Sequence, residues 1–364
     1  MSNQKQLNDA IQKHKNKTPF YLCDKGIISE QIKKIQVAFS TYKNFELLYA
    51  IKANYSDIVL EEIKKTNIGV AVSSLNELKK VLQYNFKTIS YTAPYISKEV
   101  LSLAIKNKVE INYNNFSDFQ DSKIKNAGVR LNPEIGWSYF KDFSAGVIGS
   151  QFGISWKEAL NLDLSQVTRL HMHTSSDSYN ISFFIQGLKR LLKIAVKYPN
   201  ISTINIGGGI ATPIGRDEKE FDIKLYATEI IELIELFNKK HQRNLRIQIE
   251  PGNYIVRPSI YYVCKIQAMD KKNNSLCYYT DGTKHHLRGI FNIQKINFIT
   301  KSKEKSKAKI FGCTCQRADV IYDDLEIPKL VVGDLAVIPM TGAYCLVQSD
   351  NFHLLDKPYE FSFN

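Results

Sequence analysis

Between residues 45 and 250 short apolar runs alternate with helical stretches, and few folds accommodate that rhythm. The runs cover residues 45–50, 67–72, 86–91, 109–113, 127–131, 168–173, 202–206 and 246–250. They are mostly β-branched or aromatic and end in polar residues or glycine, as short buried strands do. Apolar spacing of three and four between several of them predicts helices over 58–65, 75–84, 181–198 and 221–240. The second of these has Ser73 or Ser74 ahead of it and Glu77 three residues on, a capping-box pattern. Eight strands alternating with helices over roughly 210 residues predict a parallel (β/α)8 barrel.

After Pro251 helical periodicity fades. Strand-like runs at 260–266, 276–280, 293–300, 308–313 and 335–339, separated by turns such as 272–274 and 332–334, predict a mostly antiparallel β domain of about one hundred residues. An apolar share of 44% supports a substantial core, and no apolar run approaches the ~20 residues of a membrane span. The polar start lacks a signal-peptide core, so a cytoplasmic protein with no membrane partner is expected. The six cysteines form no CxxC pair. Cys313 and Cys315 are one residue apart, poor spacing for metal ligands, so free thiols and no metal are expected. The net charge of +13 permits either nucleic acid or an anionic small substrate. The lysines are spread along the chain, and the denser run from Lys301 to Lys309 contains an acid and reads as a solvated hairpin or loop. No nucleic-acid motif is present, so a nucleic-acid partner is not expected.

A barrel takes its chemistry from the C-terminal ends of its strands. Those ends carry Lys52, His173, Gly207, Gly208, Gly209 and Glu250. Lys52 in YAIKAN is either a snorkelling surface lysine or a partly desolvated amine with a lowered pKa. The glycine triplet is either a loop turn or a place where backbone N–H groups approach an anion. Glu250 could be a cap or surface acid, or a buried carboxylate facing a ring nitrogen. His173 shares a strand face with His171 and is either a satisfied core histidine or a ring that stacks on a planar group; Ser175 and Ser176 could add hydroxyls to a phosphate site.

Taken in order, these segments resemble the fold-type III decarboxylases that use pyridoxal 5'-phosphate, the family of the diaminopimelate, ornithine, arginine and carboxynorspermidine enzymes, with an alanine-racemase-like barrel. YAIKAN is similar to the cofactor-lysine segment, which implies Lys52 as the Schiff-base residue. HMHTSSD is similar to H-x-H-x-G-S, implying that His173 stacks on the cofactor and Ser176 reaches its phosphate. NIGGGI resembles the phosphate loop at Gly207–Gly209, and EPGNYIV resembles E-P-G-R-x-x-V, with Glu250 against the pyridine nitrogen. GCTCQRADVI resembles G-P-x-C-x-x-x-D, which implies Cys315 as proton donor and Asp319 as a substrate-site acid. TGAYC resembles the G-A-Y segment, whose tyrosine, here Tyr344, touches the phosphate. The resemblance also implies a homodimer with shared active sites, a barrel over 25–255, and a β domain over 256–364 joined by an N-terminal strand at 18–24.

The departures bear on substrate. Asn253 stands where the family commonly has arginine. Gln316 and Arg317 follow Cys315, where an acid would hold a distal amine, and an arginine there favours a carboxylate instead. Arg288 matches a family arginine for substrate carboxylate, with Asn292 where a tyrosine is usual, while VRLNPEIG is closer to the carboxynorspermidine branch. The expected activity is therefore decarboxylation of an amino acid with distal carboxylates, such as a citryl conjugate of ornithine in siderophore synthesis. Diaminopimelate and carboxynorspermidine are the alternatives within the class. A non-enzymatic cofactor carrier and an amino-acid racemase are alternatives outside it; Cys315 and Tyr344 argue against the first, Glu250 against the second.

Overall fold

The computed structural model describes residues 2–122, 124, 127–135, 145–213, 219–272, 275–290 and 295–364. The chain opens with helix α1 (Ser2–His14) and strand β1 (Phe20–Asp24), then passes through α2 (Lys25–Ala38) into a barrel. The barrel strands are β2 (Phe45–Ala50), β3 (Gly69–Val72), β4 (Ile89–Ala93), β5 (Glu110–Tyr113) and β6 (Gly128–Asn132). After the two-residue β7 (Ile154–Ser155), which pairs with β6, come β8 (Arg169–His171), β9 (Thr203–Asn205) and β10 (Arg246–Ile249). Pairing runs β5-β4-β3-β2-β10-β9-β8-β6, and β5 also pairs β6, which closes a ring of eight strands. Every pair in the ring is parallel, as the alternation of strands and helices predicts.

Two strand starts differ from the sequence expectation for one reason. Asn67 and Asn85 both take positive φ, at 58° and 52°, so the chain is still turning where strands were expected to begin. Pro94 then follows the last residue of β4.

The helices between strands are α3 (Asp57–Lys65), α4 (Leu75–Leu82), α5 (Lys98–Asn107), α6 (Phe116–Asp121), α7 (Trp156–Ala159), α8 (Ile181–Lys197) and α9 (Ile223–His241). Most start on a polar cap: Ser56, Ser74, Ser97, Asn115, Asn180 and Asp222 each accept a hydrogen bond from a first-turn backbone N–H. Ser74 is the cap of α4, and the Glu77 carboxylate closes the box one residue further back, on the Ser73 N–H at 2.6 Å.

The barrel interior is polar to an unusual degree. At its lower end Arg246 reaches Glu46 at 3.0 Å and also bonds Glu110 at 2.5 Å, and Gln248 donates to both carboxylates at 2.8 and 2.9 Å. Alternation along β2 and β10 places Glu46, Gln248 and Glu250 on one face, aimed inward. A buried charge needs such partners.

Beyond α10 (Asn253–Val256), strands β11 (Ile260–Lys272), β12 (Ser275–Thr280), β13 (Asn297–Ile299), β14 (Lys305–Phe311), β15 (Val320–Pro328) and β16 (Leu335–Ile338) form a second sheet, joined after α11 (Cys345–Gln348) by β17 (Tyr359–Phe363). Its pairings are antiparallel except β12–β14 and β1–β17. β1 lies between β11 and β17, so the N-terminal strand is part of this sheet. Residues 273 and 274 of an expected turn, and 293 and 294 of an expected strand, lie outside the described residues.

The lysine-rich run takes the hairpin form of the sequence expectation. Lys305–Lys309 is most of β14, the first arm of an antiparallel hairpin with β15, and from Ala308 on it also pairs with β12. Ala308 and Ile310 are buried while Lys305, Lys307 and Lys309 are not, so the charges ride on the open face of an amphipathic strand.

Candidate active site

Lys52 occupies a single 3-10 turn, Ile51–Ala53, directly after β2. Two segments distant in sequence pin that turn through three hydrogen bonds. The Ala50 N–H donates to the Pro251 carbonyl at 3.3 Å, and the Tyr344 N–H donates to the Ala53 carbonyl at 2.8 Å. The Asn54 side chain donates to the Gly342 carbonyl at 3.0 Å. Ile51 and Ala53 are fully buried, whereas Lys52 itself keeps an open face at the mouth of the barrel. Protein nevertheless surrounds it closely. Loss of solvent, followed by the positive field of Arg130, pushes the amine below its ordinary pKa, with Glu250 and Glu77 opposing. A lysine in that state has a larger unprotonated, nucleophilic fraction.

Glu250 stands just past the end of β10, its side chain one-tenth exposed. One oxygen accepts from Asn205 at 2.7 Å and from Ser90 at 3.2 Å; the other lies 3.2 Å from His171 Nε2. Burial works against its charge, but His171, Asn205 and Lys52 together outweigh it and hold the carboxyl below its usual range. His171 is kept neutral by burial despite that partner, so its Nε2–H is the donor. The adjacent His173 is pushed well below the ordinary histidine range, first by burial and then by Lys52 and Arg130. Its Nδ1 accepts from the Gly208 N–H at 3.2 Å, which leaves a neutral ring with the proton on Nε2.

The glycine loop must be glycine. Gly207 and Gly209 adopt φ of +73° and +93°, and a Cβ at Gly209 would lie 1.8 Å from the Ser175 carbonyl. Two amides of the triplet are already engaged, Gly207 with Asn205 Oδ1 at 2.9 Å and Gly208 with His173. An anion at this loop would be met by the amides beyond Gly208 and by nearby side chains. Ser176 and Tyr344, both half-buried, are among them. Burial, reinforced by Asp177, raises the Tyr344 phenol to about 12, so it remains a hydrogen-bond donor.

The structure gathers Lys52, His173, the glycine loop and Glu250 at one barrel end. Sequence reading missed Arg130 and Glu77 there. Arg130 is deeply desolvated and pushed down to about 10, and its position near the end of an inward-facing strand was the available signal. Glu77 was legible only as a helix cap, yet its carboxyl is raised by burial and feels the Lys52 charge.

The residues from the second sheet lie further out. Gly289 packs so closely on the Tyr344 segment that a Cβ there would lie 2.3 Å from the Ala343 carbonyl. This brings the preceding Arg288 beside the lysine turn's own clamp. Arg288 is half-exposed and ion-paired with Asp350, which also lies 2.9 Å from His285 Nδ1. Gln316 meets His285 Nε2 at 2.8 Å, and Cys315 and Arg317 are exposed on the same loop. Asp319, expected as a substrate-site acid, anchors this loop. It is 3% exposed and accepts from Thr283 at 3.0 Å, the Lys284 N–H at 2.7 Å and the Thr314 hydroxyl at 2.7 Å. Asn292 lies outside the described residues. Asp350 carried no sequence signal, because only the fold brings it to Arg288.

A desolvated amine, an ionised carboxylate held on both oxygens, a neutral imidazole and a glycine anion loop at the C-terminal mouth of a barrel define a lysine-centred α/β-barrel enzyme of the kind that handles amino acids through a carbonyl cofactor. The model of the pyridoxal-dependent decarboxylase family, pyridoxal binding domain, matches residues 25–257, and the chain belongs to that family. Its cofactor is pyridoxal 5'-phosphate and its activity the decarboxylation of an amino acid. The residues at the mouth fit the group: an amine for its carbonyl, a carboxylate for its ring nitrogen, and a loop for its phosphate.

Similar proteins agree. The chain is 25% identical to diaminopimelate decarboxylase of Methanothermobacter thermautotrophicus over 94% of its own length and 86% of that protein. It is 27% identical to the Helicobacter pylori diaminopimelate decarboxylase, covering 95% and 90%. In fold it resembles the crystal structure of diaminopimelate decarboxylase from Helicobacter pylori complexed with L-lysine, with a TM-score of 0.88 at 24% identity over 98% of this chain and 94% of that one. It also resembles lysine/ornithine decarboxylase of Vibrio vulnificus complexed with cadaverine, with a TM-score of 0.83 at 18% identity over 98% and 97%. Among the described residues no helix is long and apolar enough to cross a membrane.

Proposed function

We propose that the substrate is an amino acid whose far end carries both an ammonium and a carboxylate, of the diaminopimelate type. We also propose that the enzyme is a homodimer in which Cys315 serves the site of the partner subunit. The observation that carries the substrate reading is the Arg288–Asp350 pair. The acid missing after Cys315, which favoured a citryl conjugate on sequence grounds, is supplied by Asp350 from another segment. An arginine and an aspartate side by side suit a zwitterionic end better than an arginine alone. The diaminopimelate decarboxylases named above act in the same direction as support.

When bound, the cofactor supplies an electron sink for the carbon that loses CO2. Lys52 supplies the covalent amine. Glu250 would keep a proton on the cofactor's ring nitrogen, and the neutral His173 would offer an uncharged ring surface that adds no competing positive charge. Ser176, Gly209 and Tyr344 would hold its phosphate. Cys315, exposed in the single subunit, returns a proton to the product carbon. The residue ranges 25–255 for the barrel and 18–24 with 256–364 for the β domain describe the two parts. All six thiols are free, which suits a reducing, cytoplasmic setting.

The test is CO2 release from meso-diaminopimelate, free ornithine and citryl-ornithine. Turnover of the first well above the other two is expected, and Asp350→Asn should raise KM for it about tenfold or more with a smaller change in kcat. Exposed Arg317 favours the citryl conjugate as second reading. Efficient turnover of that conjugate with none of diaminopimelate would replace the proposal by it.

A further inference from the structure

Beside the glycine loop lies a buried ion pair that the reaction itself does not use. Arg257 is 5% exposed and grips Asp177 with both terminal nitrogens, Nη1 to Oδ1 at 3.1 Å and Nη2 to Oδ2 at 3.0 Å. Nη1 also donates to Thr212, three residues after Gly209, at 3.0 Å. The Asn253 amide donates to both Asp177 oxygens at 2.9 and 3.0 Å. Asp177 follows Ser176 directly, takes φ of +49°, and its side chain is about one-quarter open. The next residue, Ser178, is bonded to the glycine loop through the Gly209 carbonyl. The acid therefore borders the anion cradle, a poor place for a negative charge.

The arrangement of exposure decides what Arg257 does. Its Nε is buried without a partner, and its other two nitrogens are engaged with Asp177 and Thr212. A guanidinium so enclosed cannot contact a ligand in the mouth, whereas the Asp177 carboxylate partly can. We infer that Arg257 is a positioning residue that cancels the Asp177 charge from behind, and that this neutralisation lets the loop accept a phosphate dianion although position 253 carries no cation. The inference rests on reading the glycine loop as the phosphate cradle.

Titration of the apo-enzyme with pyridoxal 5'-phosphate and, separately, with pyridoxal tests both levels. Wild type should prefer the phosphorylated form by about a hundredfold or more. If it binds the two equally, the cradle reading fails and the inference with it. Arg257→Met should lose at least about tenfold in affinity for pyridoxal 5'-phosphate while pyridoxal changes less than about twofold. The double variant Arg257→Met with Asp177→Asn should recover most of that loss, since the exposed charge is gone. A double variant as weak as the single, or an equal loss for both ligands, would overturn the inference while leaving the cradle reading standing. Asp177→Asn alone covers the case in which Arg257→Met fails to fold. It should bind the phosphorylated form at least as well as wild type, and weaker phosphate-dependent binding would count against the inference.

Discussion

Gly209 shows how little latitude single positions have around this site. A Cβ there would sit 1.8 Å from a carbonyl oxygen, on a backbone with φ of +93°. Gly209→Ala is therefore expected to destabilise the protein by on the order of 3 kcal/mol, from strain and displacement of the Ser175 segment, read as a lower urea midpoint. At the floor of the site, Glu250→Gln keeps the shape and the Asn205 and Ser90 contacts but removes the charge. It should lower kcat by about 10²–10³-fold with little effect on KM. Lys52→Ala should reduce CO2 release to background. His286 governs a different property. It is 1% exposed, bonded to the Tyr262 hydroxyl at 2.9 Å, and pushed down to about 4, chiefly by burial, with His285 adding to the effect and Asp319 and Asp350 opposing it. As pH falls through 6.5 the unfolded chain takes up a proton that the native ring refuses until about 4. Stability from this group is thus full above 6.5 and is lost progressively between 6.5 and 4, by on the order of 3 kcal/mol. Thermal melts from pH 7.5 to 4.5 should fall less steeply for His286→Gln than for wild type.

Among elements, the barrel strands act through a polar interior that substitutes for part of the usual apolar filling. Arg246 on β10 ties Glu46 of β2 to Glu110 of β5 across the ring, at positions with side chains between 17% and 28% exposed. Arg246→Met leaves two partly buried carboxylates facing each other, at a cost of about 3–5 kcal/mol. The companion change Glu46→Gln should restore part of that loss in urea unfolding. No restoration would mean that the arginine acts through packing alone. The loop carrying Cys315 is organised in the same way by Asp319, whose two oxygens fix Thr283, Lys284 and Thr314. That anchoring explains why an exposed cysteine can keep a defined place.

The whole molecule brings its parts together by sequence-distant contacts: the Lys52 turn is held by the Pro251 and Tyr344 segments, and β1 is sandwiched between β11 and β17. A homodimer with shared sites makes a quantitative prediction at this scale. Lys52→Ala and Cys315→Ala homodimers should each be nearly inactive. Unfolding and refolding them together one to one should restore about one quarter of wild-type activity, because half the dimers then carry one intact site. No recovery with full dimer formation would place lysine and cysteine of each site in one subunit.

The sequence by itself determined the barrel, because strand and helix periodicities depend only on local spacing and the alternation of eight such runs leaves few other closures. It also determined the residues whose chemistry sits at strand ends, Lys52, His173, Glu250 and the glycine triplet, since strand direction alone sends them to one mouth. Only tertiary structure decided the rest. The lysine run at β14 reads as a hairpin or a loop until its partner β15 is known. Asp319 faces inward, and Asp350 meets Arg288 across 62 residues of chain. Arg257 finds Asp177 across 80. Local sequence encodes backbone preference and which face a side chain takes; which charges meet depends on long-range closure, and that is settled only when the core packs.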